Sequence, residues 1–121
     1  MGPVSSPRIF TKPIPPSVTR ELADESFGDM VKFVVDLERG VICAGGGLHS
    51  DEEQMLLGDG ARPDDLWGAN YYLDDPSAAR FEFTSMINIR PRQDNATQLI
   101  QSPEIQDRVR ELAVRYFESL K

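Results

Sequence analysis

The chain has one histidine, His49, and three carboxylates follow it closely: Asp51, Glu52 and Glu53. An imidazole beside carboxylates can hold a divalent cation or share a proton as an acid/base pair. His49 with Asp51 or Glu52 is therefore the catalytic candidate of a small hydrolase, with Arg90 stabilising a developing anion. The spacing argues against a metal, because the helical zinc signature needs two histidines four residues apart. Neither a metal nor a cofactor is expected. A structural reading stands beside the chemical one. Ser50 with Glu53 three residues on is a capping box, and Asp51 and Glu52 suit the positive end of a helix. That reading explains all three acids without chemistry.

A second polar group lies downstream. Asn88, Arg90 and Asn95 end one apolar segment, with Arg92 between them, and arginine with asparagine suits carboxylate or phosphate recognition. Alternatively Arg90 pairs with Asp51 or Glu52, as an acidic chain needs partners for its few cations. Such a pair would bring the two groups to one place. Asn70 lies on an intervening strand and is a candidate for lining the same cleft. Trp67 on that strand suits either a ligand platform or the core. Gly45-Gly46-Gly47 reads as a strand-to-helix turn needing positive φ. No lysine follows it and acids occupy the helix start, which excludes a phosphate loop. Cys43 has no basic neighbour and reads as a small buried hydrophobe.

The elements that must position these residues follow from periodicity. Residues 1–16 hold five of the nine prolines and form an expected flexible arm, with Ile9 and Phe10 able to dock as an edge strand. Residues 17–121 form a single globular domain. A helix follows Ser17 and ends at Gly28. Val31, Phe33, Val35 and Leu37 then alternate with Met30, Lys32, Val34 and Asp36, and Glu38-Arg39-Gly40 turns the chain into a short strand, 41–44. After the second helix, 67–73 and 81–90 read as a second strand pair. Ser102 caps the last helix, with Pro103 at its first position. The order α-ββ-α-ββ-α predicts an α+β domain: a four-stranded, mainly antiparallel sheet from two hairpins, with three helices largely on one face.

Composition bounds the function. A chain of 121 residues suits one domain, and folding at this length buries roughly two thirds of the unfolded surface. The net charge of −7 is uneven: residues 31–60 carry six acids against Lys32 and Arg39. An acidic chain is repelled by phosphate backbones, so no nucleic-acid partner is expected. No apolar run approaches the roughly 20 residues of a membrane helix, and no signal-peptide pattern opens the chain. A single cysteine fits a reducing cytoplasm. The expected partner is a small ligand or a protein near His49, Arg90 and Asn95. A self-associating module, as a homodimer, is the remaining alternative.

With these residues laid out, the chain resembles a prokaryotic family known only as a domain of unknown function. That family's pattern is a strand, Gly-Gly-x-Leu-His-x-Asp-Glu-Glu, Leu-Trp-Gly-x-Asn, then Ser-x-Ile-Asn-x-Arg-Pro with a later asparagine. This chain has Gly45–Glu53, Leu66–Asn70, Ser85–Pro91 and Asn95 in those places. The resemblance spans roughly residues 12–118. Gly47, where the family pattern has a larger polar residue, and the proline-rich first dozen residues depart from it. The resemblance brings no activity with it.

Overall fold

The alternation from Met30 onward produces the central strand, β2 (Met30–Asp36). The computed structural model describes residues 6–117. Gly40, at φ +69°, closes the turn into β3 (Val41–Ala44), and Val35 pairs with Ile42. On its other side β2 pairs along its whole length with β4 (Leu66–Tyr72), from Met30↔Tyr72 to Asp36↔Leu66.

Two edge strands complete the sheet. β1 (Arg8–Phe10) pairs with β3, and β5 (Phe81–Glu82) with β4, giving the antiparallel order β1-β3-β2-β4-β5. The sheet thus has five strands rather than the expected four, because part of the proline-rich stretch docks. Ile9 faces Cys43, and Ile14, further along, is fully buried. Residues 1–5 of the expected arm and 118–121 of the expected domain lie outside the described residues.

The second strand pair is much shorter on one side than periodicity predicts. β5 has two residues, and the chain then turns. Ser85 Oγ accepts from the Ile87 backbone N–H, and a 3-10 turn covers Met86–Asn88. A serine that satisfies the backbone locally competes with ladder pairing. Phe81 and Phe83 stay in the main core, whereas Ile87 packs on the opposite side of the sheet.

The helices also divide between the faces, which corrects the expectation that they lie largely on one. Helix α1 (Pro16–Asp24) and helix α3 (Pro103–Tyr116) cover the face formed by Val31, Phe33, Val35, Ile42, Ala69 and Tyr71. Ser102 caps α3 by accepting from the Ile105 N–H at 3.2 Å. Helix α2 (His49–Gly58) lies on the other face, where Leu56 packs with Val34, Cys43 and Leu66. The result is an α+β domain with its sheet between two helical layers. The candidate site belongs to the α2 side.

Candidate functional site

The turn into α2 is set by two glycines. Gly45 has φ +96°, and a Cβ there would come within 2.6 Å of Leu22. A Cβ on Gly46 would meet the Glu52 side chain at 3.0 Å and Pro7 at 3.3 Å, so this glycine permits close approach. Gly47, the departure from the family pattern, faces open space.

The capping box is not formed. Leu48 occupies the N-cap, no side chain caps the helix, and Ser50 lies inside the first turn. The acids go separate ways. Asp51 is exposed. Glu53 lies 3.9 Å from Arg90, so Arg90 meets this acid rather than Asp51 or Glu52. Glu52 is fully buried. Its Oε2 accepts from the Gly46 N–H at 3.0 Å, and its Oε1 has no partner among the described residues. Burial holds its pKa well above the usual carboxylate range, with the Gly46 bond and the Lys32 charge opposing.

His49 points to the sheet. Its Nε2 lies 2.8 Å from the Ala69 carbonyl oxygen. A carbonyl only accepts, so Nε2 carries the proton and Nδ1 keeps its lone pair. Burial lowers the pKa to about 4, against the Ala69 bond and the neighbouring Asn70 amide, so the ring is neutral at neutral pH. His49 and Glu52 thus bond different partners: Nε2 meets a carbonyl of β4, while Glu52 meets the Gly45–Gly46 turn.

The downstream residues serve as scaffold. Asn88 is fully buried and clasps Gly68, accepting from its N–H and donating to its carbonyl, each at 2.9 Å. It also donates to the Gln98 carbonyl at 3.1 Å. Asn95 Nδ2 bonds the carbonyls of Asn88, Thr97 and Leu99, and its Oδ1 accepts from the Gln101 N–H at 2.8 Å. Arg90 donates to the carbonyls of Ile87 and Leu66 and lies 4.7 Å from the centroid of the Trp67 ring. Trp67 is buried. Asn88 and Arg90 pin segment 83–101 to β4 without a regular ladder, and Asn95 ties the segment to itself.

That segment and α2 enclose a cleft of about 280 Å³ lined by Lys32, His49, Asn70, Ser85, Met86 and Gln98, among others. Two of its lining residues close over Gly68, where a Cβ would lie 2.8 Å from Ser85 Oγ and 3.2 Å from His49 Cδ2. Asn70 is buried, and its Nδ2 donates to Glu82 Oε1 at 2.8 Å. Since Glu82 can only accept, that bond fixes the amide, and Asn70 Oδ1 is buried without a donor among the described residues. His49 and Asn70 thus meet, as expected of one site, whereas Arg90 and Asn95 lie behind the wall. Sequence reasoning missed Lys32, Gly68 and Ser85. Lys32 had a signal, as the one cation within a strand of otherwise apolar residues and one acid.

No three histidine, cysteine or acidic side chains among the described residues are grouped to hold a metal ion. No helix among them is long and apolar enough to cross a membrane.

The chain belongs to a family described as protein of unknown function, DUF5674, whose model matches residues 8–116. No curated protein and no solved structure matches it.

Proposed function

We propose that this domain is a small cytoplasmic binding module whose ligand seats in the cleft between α2, β4 and segment 84–98. The observation that supports this reading best is Asn70 Oδ1, a buried acceptor with no donor among the described residues, at the wall of a cleft. Buried polar atoms nearly always find partners, so an orphan beside an open space marks where a partner is to come from. At about 280 Å³ the cleft is below the usual drug-sized range, which suits a small polar molecule. His49, Lys32 and Asn70 are the proposed contacts. Asn88, Arg90, Asn95 and Trp67 position the wall and do not touch the ligand.

Thermal shifts with small carboxylates, amines, amino acids and phosphate test this reading, since a ligand that binds only the folded state raises its stability. The expected result is a concentration-dependent rise that Asn70→Ala removes. A flat response to every class refutes it. Self-association is the second reading. It draws on Leu48 and Met86, 59% and 69% exposed at the cleft mouth, and sedimentation of the ligand-free chain decides it.

A further inference from the structure

Lys32, Asn70 and Glu82 form one row across three strands. Lys32 pairs with Asn70 and Asn70 with Glu82, so all three side chains leave the same face of the sheet, the face under α2. The ends of the row carry opposite charge, roughly 10 Å apart along the backbone at the usual strand spacing. Among the described residues Lys32 makes no ion pair within 4 Å; its charge acts on buried Glu52, and its Nζ lies 5.4 Å from the Phe27 ring centroid. At the other end Glu82 Oε1 receives Asn70 Nδ2 at 2.8 Å and the Tyr72 hydroxyl at 3.1 Å. Between them is Asn70 Oδ1, a buried acceptor with no donor among the described residues, and beside it the His49 ring, whose Nε2 bonds the Ala69 carbonyl.

The chemistry of these groups is directional. Asn70 Oδ1, backed by the Glu82 charge outside the cleft lining, calls for an N–H donor on a cation, and the Lys32 ammonium at the cleft wall calls for an anion. A simple carboxylic acid satisfies only Lys32 and leaves Asn70 Oδ1 orphaned. A simple amine does the reverse. We infer that the cleft takes a small amphoteric molecule of the free amino acid class, its amine on Asn70 Oδ1 and His49 and its carboxylate on Lys32. This rests on the binding reading above and names its ligand class.

Titration calorimetry of the full chain separates the two. The probes are alanine, propionate (the same acid without the amine), ethylamine (the amine without the acid) and inorganic phosphate. Alanine is expected to bind at least tenfold tighter than propionate or ethylamine. Lys32→Met should abolish its advantage over ethylamine, and Asn70→Ala its advantage over propionate. If propionate or phosphate binds as tightly as alanine to the unaltered chain, the amphoteric inference falls while the binding module stands. If no probe binds, both fall. The comparison on the unaltered chain decides the matter even where a variant fails to fold.

Discussion

The neutral, buried His49 makes the domain acid-sensitive by an amount that can be worked out. Its pKa falls from 6.5 to about 4 on folding, chiefly through burial. Above pH 6.5 neither state is protonated and the ring costs nothing. As pH drops through 6.5 the unfolded chain takes up a proton that the folded chain refuses. The loss accumulates down to about pH 4 and is complete below it. At about 1.4 kcal/mol per unit, the full effect is about 3 kcal/mol. Other groups titrate over the same range, so the quantity to measure is the difference between the unaltered chain and His49→Gln. The glutamine side chain has an amide able to donate to Ala69 but no titrating group. Urea unfolding at pH 8, 6, 5 and 4 should show the variant gaining about 3 kcal/mol relative to the parent as pH falls. A difference that stays constant across the series would refute the assignment of His49 as a buried neutral ring.

Three further outcomes follow from the same geometry. Gly68→Ala places a Cβ 2.7 Å from Ser85 Cβ, an atom too close to its own backbone to swing away; a loss of about 1–3 kcal/mol is expected, recovered largely in the double variant with Ser85→Gly, and an additive double variant would count against the contact. Glu52→Gln removes a carboxyl whose pKa is raised by burial, so the parent is penalised as pH rises above the usual carboxylate range; the variant should be the more stable at pH 7 and lose that advantage by pH 4, as read by thermal unfolding in the two buffers. Asn88→Asp loses the donors to Gly68 and Gln98 and buries a charge, at a cost of about 3–5 kcal/mol in chemical denaturation, and a loss under about 1 kcal/mol would exclude the clasp as a support of the wall.

The sequence made the β2–β3 hairpin legible because its apolar residues alternate and a glycine turn follows, and α3 because its apolar stripe and its cap agree. It hid the end of the second strand pair. Phe81 to Ile89 keeps a period of two, yet the pairing with β4 stops at Glu82: residues 83–85 bond the backbone of 98–100 instead, Ser85 satisfies the turn locally, and Asn88 supplies by side chain what a ladder would supply by main chain. Alternation reports which residues are apolar, and says nothing of a buried asparagine that substitutes for a strand. The proline-rich opening was legible in part, since Ile9 and Phe10 were able to dock as an edge strand and do so. Proline is compatible with an edge strand, where one side of the backbone is unpaired, and β1 is such an edge.

Helix α2 carries the same lesson into the site. Its buried residues are His49, Glu52 and Leu56, at spacings of three and four, which is the inward stripe of an ordinary helix. Two of the three are polar, so the stripe reads as a wet face and the capping box becomes the natural explanation of its acids. The fold instead buries that face and satisfies it from the sheet and the glycine turn: Ala69 for His49, Gly46 for one oxygen of Glu52. A helix that packs through polar groups gives up hydrophobic stabilisation, and Asn70 beneath it is left with an acceptor unfilled. That combination costs stability and sits beside a cleft, which is what supports the proposed binding reading. The legible motif, His49 with its acids, is thus divided by the fold: His49 addresses the strand, Glu52 the glycine turn, and Glu53 lies near Arg90.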